Sequence, residues 1–513
     1  MSIRERLPTR RVALLAVTTA VLFLFAYAPA SLVVPSFVAI VPLLWALDEL
    51  KERGGTPGEA AWLGYWFGVF THAITLYWML IALWHFTKLS ALGYAASVMV
   101  VLSPQWALGV WIMYRANVRA RIPLWVTVPL AWTAVEWLQG HYSDLRFPWL
   151  GLGTSLIRVP VLVQWADIAG ARGVTLWLAW INVMIFMALR RRSWKPMIPV
   201  ALTIVAALGY GTWRERTIVL RPVTTVAVIQ PNVDFDEKRA TVGQDTVARR
   251  LIGLAERADS LPGVRLVAWS EAALEGYFYN HADWPGRVGQ VARQSNIPIL
   301  AGGLDLIVTP DNNFETFNAA FLFDSTGSFT HQPIYRKHYL VPIVERVPFV
   351  NPRWFGNMQW FGGFGRGVDY PVYRIREGGF GTLICYESAF ENVSRIYRRE
   401  GADFLVNITN DAWYGRTWAT HQHAAHLVMR AIETRMGIAR SANTGITEFV
   451  DPLGRVQVSI PQHEQRILTA QVYTTSERTI YVRAGDWVAI LSIVGALTCL
   501  AASFRTSRNG DIA

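Results

Sequence analysis

Three side chains that together could transfer an acyl group lie at or just beyond the ends of predicted strands. Cys385 follows a short apolar run in the segment GTLICYES, residues 381–388, and such a run predicts a buried strand that ends at the thiol. Glu271 ends a second apolar run, VRLVAWSE, residues 264–271, and Lys337 lies in a later loop that contains prolines. A lone strand cysteine is more often a small buried hydrophobic residue than a nucleophile, so the case for Cys385 depends on the other two residues.

These residue types match the three roles that acyl transfer on a cysteine requires. A free thiol has a pKa of about 8.5 and needs a base to become a nucleophile at neutral pH. Its attack on an acyl group creates an oxyanion, which a fixed positive charge stabilises. We therefore assign Cys385 as the nucleophile, Glu271 as the base and Lys337 as the charge that holds the oxyanion.

The order Glu271, Lys337, Cys385, with each residue near a strand end or in a following loop, resembles the nitrilase superfamily. Two further segments sharpen this resemblance: NITNDAWYG at residues 407–415 and the helix-like run 421–435. Both resemble the membrane-bound branch of the superfamily, the apolipoprotein N-acyltransferases, and the similarity extends over essentially the whole chain.

The resemblance implies both a fold and a reaction. The outer domain is expected to be an α-β-β-α sandwich that belongs to the α/β class. The expected acyl donor is a membrane phospholipid, the expected acceptor is the N-terminal diacylglyceryl cysteine of an apolipoprotein, and the intermediate is a thioester on Cys385. No cofactor is expected. The alternative enzyme is a membrane-tethered amidase or nitrilase that hydrolyses a small amide. A different class is a transporter or receptor that only binds its ligand, but such a protein would not need Glu271, Lys337 and Cys385 together.

The same resemblance assigns roles to further residues. Glu345 and Glu387 match acidic positions of the family and are expected to orient Lys337 and the site, although an ordinary salt bridge would explain them equally well. The backbone N–H of Tyr386 is expected to help Lys337 hold the oxyanion. Five aromatic residues are expected to contact substrate: Trp354, Phe355, Trp360, Trp413 and Tyr414. The first three lie in a loop where aromatic residues alternate with glycines, and this composition, not the resemblance, predicts a mobile lid near the membrane. The alternative is a loop folded onto the core of the sandwich.

Two local patterns bear on the site without adding a ligand. His423 and His426 share a helical face, but no nearby cysteine or carboxylate completes a ligand set and His421 points elsewhere, so we predict no metal site.

The family pattern has an aromatic residue after the lysine that follows a Gln-x-Asn motif, whereas here Lys238 is followed by Arg239. This segment therefore departs from the family pattern.

Composition places the chain among membrane proteins. Hydrophobic residues make up 52% of its 513 residues and the mean hydropathy is +0.25, both above the usual range for a soluble globular protein. The net charge of +11 does not indicate a nucleic-acid partner, because residues 214–484 contain 29 basic and 27 acidic residues and the excess lies in the apolar remainder. Both cysteines, Cys385 and Cys499, are predicted to be free thiols.

Eight apolar runs are long enough to cross a membrane. They lie at about 11–29, 31–47, 59–85, 89–114, 123–139, 172–189, 196–213 and 485–503. Fifteen basic residues of these regions fall on the side of the two termini and four on the other side, which predicts cytoplasmic termini. We therefore expect a transmembrane domain at 1–213, a periplasmic catalytic domain at 214–484 and a last helix with a cytoplasmic tail at 485–513, in the bacterial inner membrane.

A carboxylate at the end of the fifth predicted span is the remaining candidate. Glu136 begins EWLQG at residues 136–140, which with FPWLGLG at 147–153 resembles a pattern in the membrane domain of the acyltransferase family. A carboxylate inside hydrocarbon is costly, but this one is close enough to the predicted interface to reach water. A structural and a functional role for Glu136 are equally compatible with the sequence.

Overall fold

The computed structural model describes residues 7–85, 88–234, 241–274, 283–308, 314–351 and 363–510. Lys238, Arg239 and the predicted substrate residues Trp354, Phe355 and Trp360 lie outside these ranges. The chain divides into two units, one formed by residues 1–217 and 484–513 and the other by residues 218–483.

The first unit is helical. Its helices are α1 (Arg10–Ala26), α2 (Val33–Val38), α3 (Val41–Glu52), α4 (Pro57–Thr75), α5 (Trp78–Trp84), α6 (Ser90–Ala96), α7 (Ser103–Arg119), α8 (Leu124–His141), α9 (Pro160–Val163), α10 (Ala166–Arg191) and α11 (Met197–Thr217). Local sequence sets several of the ends. Thr56 caps α4 in a capping box with Glu59, and Pro57 occupies the first turn, where its missing N–H costs nothing.

Within the described residues, five helices are long and apolar enough to cross a membrane by length and composition: Val33–Glu52, Ser90–Arg119, Ala166–Arg191, Met197–Thr217 and Trp487–Arg505. A sixth is obtained if α4 and α5, which are bent by 62°, form one span. These helices indicate a membrane protein and coincide with six of the eight predicted spans. The other two predicted spans form α1 and α8, of 17 and 18 residues, so the eight-span topology stays a prediction.

Glu136 is held inside the helical unit by four donors. Its Oε1 accepts hydrogen bonds from Trp132 Nε1 at 3.0 Å and from the backbone N–H of Leu152 at 2.7 Å. Its Oε2 accepts from Thr175 Oγ1 at 2.7 Å and pairs with Arg172 Nη1 at 3.1 Å. Because both oxygens are satisfied, these contacts favour a structural role in which Glu136 ties the segment after α8 to α10.

The second unit contains two six-stranded sheets. The strands are β1 (Arg221–Gln230), β2 (Val264–Ala268), β3 (Ile299–Val308), β4 (Phe314–Phe323), β5 (Tyr335–Arg336), β6 (Tyr373–Ile375), β7 (Gly378–Ile384), β8 (Phe404–Thr409), β9 (Gly437–Ala442), β10 (Thr447–Val450), β11 (Val456–Ile460) and β12 (Arg466–Thr474). One sheet has the order β12-β1-β2-β3-β4-β5 and the other the order β11-β10-β9-β8-β7-β6.

The two sheets face each other and helices cover their outer faces. The Ser441 hydroxyl of β9 donates to Ile229 O of β1 at 2.9 Å, which joins the sheets through the core. These helices are α12 (Thr241–Asp259), α13 (Trp284–Ser295), α14 (Glu391–Arg399) and α15 (Ala419–Thr434). The short α16 (Ile480–Ala484) follows β12, and α17 (Trp487–Gly510) belongs to the helical unit. Helices α12 and α13 share a buried apolar core with the first sheet, and α14 and α15 pack on the second. The predicted α-β-β-α sandwich is confirmed.

The sheet topology brings the predicted catalytic side chains to one edge. Strands β1, β2 and β3 run parallel, as do β7, β8 and β9, so within each set the carboxyl ends share an edge. Glu271 follows β2 and Cys385 follows β7. The segment that follows β2 packs closely against β3, because a Cβ added at Gly302 of β3 would lie only 2.9 Å from the Cα of Glu271.

Candidate active site

Cys385 occupies a strained turn at the end of β7. It is the first residue of a short 3-10 helix, Cys385–Ala389, and its φ of +51° is unusual for a residue with a side chain. Such a conformation costs about 1–3 kcal/mol and is typical of functional sites. Only 6% of Cys385 is exposed.

Lys337 is buried between two carboxylates. Its Nζ lies 3.1 Å from Glu271 Oε1 and 2.8 Å from Glu345 Oε1. Burial alone would lower the pKa of Lys337, but Glu271, Glu345 and Cys385 together raise it well above its ordinary value. The lysine therefore carries a fixed positive charge beside the thiol, as stabilisation of an oxyanion requires.

Glu271 is oriented by donors from both sheets. Its Oε1 accepts from Asn318 Nδ2 of β4 at 2.7 Å, and its Oε2 accepts from the backbone N–H of Asn410, just after β8, at 2.9 Å. Glu345 shares the amide of Asn318 at 3.0 Å and accepts from the backbone N–H of Val341 at 2.8 Å. The structure thus brings Glu271, Lys337 and Glu345 into one hydrogen-bonded group.

The environment of Cys385 keeps its thiol protonated. Burial has the largest effect and raises the pKa of Cys385 well above its ordinary value, and the charges of Glu271 and Asp411 raise it further. Lys337 opposes this shift by favouring the thiolate. Because the thiol is neutral at rest, attack on an acyl group needs a base at the moment of reaction, and Glu271 is the carboxylate that interacts with both the thiol and the lysine.

Glu387 connects the segment around Cys385 with the segment that follows Lys337. It is fully buried, and its Oε2 accepts from Ile384 N and from the Tyr335 hydroxyl, each at 2.7 Å. Its Oε1 accepts from the backbone N–H of His338 at 2.7 Å. Burial raises the pKa of Glu387 and these hydrogen bonds oppose that shift. The geometry suits an orienting role better than a proton-transfer role.

The structure also describes three further predicted site residues, Tyr386, Trp413 and Tyr414. Tyr386 is buried and its ring packs edge-on against Phe390, with centroids 5.1 Å apart. Tyr414 is also buried, and burial, followed by the electrostatic interaction with Cys385, raises its pKa well above the ordinary value. Trp413 precedes it in the same 3-10 turn and is half-buried.

Sequence reasoning missed several polar residues that complete the site. Asn318 had no local signal, because its partners Glu271 and Glu345 are 47 and 27 residues away along the chain. Asp411 and His423 lay in segments singled out for their resemblance, but neither was given a role. They form a buried cluster with Arg440: His423 Nδ1 lies 2.8 Å from Asp411 Oδ1, and Arg440 Nη2 lies 2.9 Å from Asp411 Oδ2.

The described part of the chain contains no group of three or more His, Cys, Asp or Glu side chains able to hold a metal ion. Cys385 and Cys499 are both free thiols.

The arrangement of the second unit agrees with its similarity to known proteins. Residues 225–481 match the model of the carbon-nitrogen hydrolase family, so this unit belongs to an enzyme class whose fold is that of the nitrilase superfamily. Solved structures of low similarity include Nit3 of Saccharomyces cerevisiae, with 18% identity, a TM-score of 0.38, and coverage of 52% of this chain and 96% of that one. An amidase from Nesterenkonia sp. gives 17% identity and a TM-score of 0.38, covering 52% of this chain and 95% of its own.

The helical first unit identifies a more specific family within this enzyme class. Residues 19–184 match the apolipoprotein N-acyltransferase N-terminal domain. An apolipoprotein N-acyltransferase of Geobacter metallireducens is 30% identical over 97% of this chain and 96% of its own length, and one of Chlorobaculum tepidum is 29% identical over 91% of each. The chain belongs to the apolipoprotein N-acyltransferase family, and the resemblance read from the sequence is confirmed.

Proposed function

We propose that this enzyme transfers an acyl chain from a membrane phospholipid, through a thioester on Cys385, to the α-amino group of the N-terminal diacylglyceryl cysteine of apolipoproteins. One observation carries the proposal most directly: the fully buried Lys337 bridges Glu271 and Glu345 beside a neutral thiol. This group supplies a nucleophile, a base and an oxyanion-stabilising charge within a water-poor site.

In the first step Glu271 takes the proton of the Cys385 thiol, and the sulfur attacks the ester carbonyl of the phospholipid. Lys337 stabilises the resulting oxyanion, and we assign a second donor to the backbone N–H of Tyr386. As the intermediate collapses, the ester C–O bond breaks and the proton held by Glu271 passes to the leaving alkoxide of the lysophospholipid. The acyl chain remains on Cys385 as a thioester.

In the second step the α-amine of the acceptor attacks the thioester. This amine has a reference pKa of about 8 and must lose a proton to form the amide, and Glu271 can accept it. The C–S bond then breaks, its electron pair returns to sulfur, and the proton on Glu271 restores the thiol. Glu345 and Glu387 are proposed to hold Lys337 and its loop in place during both steps, and Trp413 and Tyr414 to line the path of the substrates.

Membrane topology follows from the same proposal. The helical unit would lie in the bacterial inner membrane and the sandwich unit on its periplasmic side, because basic residues are concentrated on the side of the two termini. Both proposed substrates are anchored in the bilayer. A site carried by a membrane-embedded chain can therefore meet them without extracting either one into water.

Intact-mass measurement of the purified enzyme tests the proposal. Incubation with a phospholipid should add one acyl group, and a diacylglyceryl peptide with a free N-terminal amine should remove that group and appear as the N-acylated product. Cys385→Ala should abolish the adduct, while the matched Cys499→Ala should retain it. An adduct that water discharges at the same rate with and without the peptide would instead identify a hydrolase, and the absence of any adduct would contradict the mechanism.

A further inference from the structure

Thr409 lies beside the proposed nucleophile and is hydrogen-bonded to a buried carboxylate. It is the last residue of β8, and Ile384 pairs with Ile408 in the parallel register of β7 and β8, so Thr409 lies next to Cys385. The Thr409 side chain is also one of the two groups that lower the pKa of the Cys385 thiol, which is the effect expected of a donor beside the sulfur. The same hydroxyl oxygen lies 3.1 Å from Asp411 Oδ1.

Asp411 is fixed as an anion by the groups around it. Burial alone would raise the pKa of Asp411, but His423 and Arg440 outweigh burial and hold it below its ordinary value. Arg440 is anchored in turn by a bond from its Nε to Ile446 O at 2.9 Å. The packing leaves the carboxylate little freedom, since a Cβ added at Gly445 would lie 2.2 Å from Asp411 Oδ2.

A hydroxyl has one proton, and here two acceptors compete for it. In the resting enzyme Cys385 is a neutral thiol and Asp411 is charged, so the proton of Thr409 is drawn to Asp411. Once the sulfur is a thiolate it becomes a charged acceptor as well, and a rotation about the Cβ–Oγ1 bond redirects the same proton.

We propose that Thr409 is a further catalytic residue, whose hydroxyl donates to Asp411 at rest and to the sulfur of Cys385 whenever that sulfur is a thiolate. The inference rests on the proposed function, in which a thiolate forms twice. It forms when Glu271 removes the thiol proton, and again when the C–S bond of the thioester breaks and its electron pair returns to sulfur. Asp411 has the opposite effect, because its negative charge disfavours the thiolate.

The charged and titratable groups that act on the thiol come from three segments. Glu271 follows β2, Lys337 follows β5, and Asp411 and Tyr414 lie in the turn after β8. Asp411 is itself faced by His423 of α15 and Arg440 of β9. A change at Thr409 leaves all of these charges in place, so its effect on the thiol is separable from theirs.

The test measures the rate of Cys385 alkylation by iodoacetamide as a function of pH, in the full-length enzyme carrying Cys499→Ala. Thr409→Val keeps the shape of the side chain but removes the donor, and the pH midpoint of alkylation should rise by about one unit. Thr409→Ser should restore the parent midpoint. Asp411→Asn should lower the midpoint, because it removes both a negative charge and the competing acceptor.

A matched control distinguishes loss of the Thr409 hydroxyl donor from a change in core packing. Thr382 is a fully buried threonine in β7, three residues before Cys385, and Thr382→Val should leave the midpoint unchanged. An unchanged or lowered midpoint in Thr409→Val, with an unfolding temperature equal to that of Thr382→Val, would overturn the inference. Alkylation needs no acyl donor, so this failure is distinct from failure of the proposed function, which would appear as no acyl adduct on Cys385.

Discussion

The carboxylate of Glu387 accepts a hydrogen bond from the backbone N–H of His338 at 2.7 Å. Glu387 is two residues from Cys385, and His338 adjoins Lys337. The two segments belong to opposite sheets of the sandwich. This one carboxylate therefore fixes the distance between the proposed nucleophile and the proposed oxyanion charge, independently of the chemistry itself.

Replacing Glu387 should impair both stability and catalysis. Glu387→Gln places an amide NH2 where two oxygens accept from four donors, so at least one donor loses its acceptor at a cost of about 1–3 kcal/mol in the free energy of unfolding. Displacement of Lys337 relative to Cys385 should slow acylation by about 100-fold. Acylation rate and unfolding temperature measure the two effects, with the exposed Glu464→Gln as control. Full activity in Glu387→Gln would show that Lys337 is positioned by other contacts.

Two variants should distinguish the role of the proposed base from that of the proposed nucleophile. Cys385→Ala should eliminate both the acyl-enzyme and the product. Glu271→Gln should leave a folded protein that acylates about 10²–10⁴-fold more slowly, because the neutral thiol then has no base. Single-turnover acylation followed by intact mass gives both rates. Normal turnover by Cys385→Ala would exclude the thioester mechanism.

Loss of Lys337 should destabilise the fold through the carboxylates it leaves behind. Lys337→Met removes the cation between Glu271 and Glu345, which should lower the free energy of unfolding by about 3–5 kcal/mol. Adding Glu345→Gln to Lys337→Met should recover part of this loss, because one of the two unpaired charges is then gone. Chemical unfolding of the three variants measures the coupling. If the double variant is no more stable than Lys337→Met, the two carboxylates are neutralised in another way.

Glu448 should make stability depend on pH. Burial raises the pKa of Glu448 from 4.5 to about 7, opposed by Arg440. Since the folded pKa lies above the unfolded value, the protonated form is favoured by folding, and stability falls as pH rises from about 4.5 to about 7. Glu448→Gln should therefore gain up to about 3 kcal/mol at pH 8 and nothing at pH 4. Unfolding temperatures of both proteins across this range give the comparison, and parallel curves would contradict it.

Membrane orientation can be tested by labelling. In a protein with Cys385→Ala and Cys499→Ala, a membrane-impermeant thiol reagent should react with a cysteine replacing Ser325 in intact spheroplasts. A cysteine replacing Ser193 should react only after the cells are opened, because that residue falls on the predicted cytoplasmic side. The reverse pattern would show that the number of spans is wrong.

The sequence alone singled out the proposed nucleophile, base and oxyanion charge, because each belongs to a short local pattern. Cys385 and Glu271 follow apolar strands, and strand ends are set by local hydrophobicity and by where it stops. The family followed from the same motifs and from the apolar first part of the chain. The break between α4 and α5 was not visible in this way, since both helices fall within one continuous apolar run at residues 59–85.

Only the tertiary structure decided how these side chains are held. Asn318 reaches Glu271 because β4 is brought beside β3, and Asn410 reaches the same carboxylate from the opposite sheet. The pairing of Arg440 with Asp411 depends in the same way on the register of β8 and β9. Such contacts join residues tens of positions apart, and their geometry follows from strand order and register, which no local periodicity specifies.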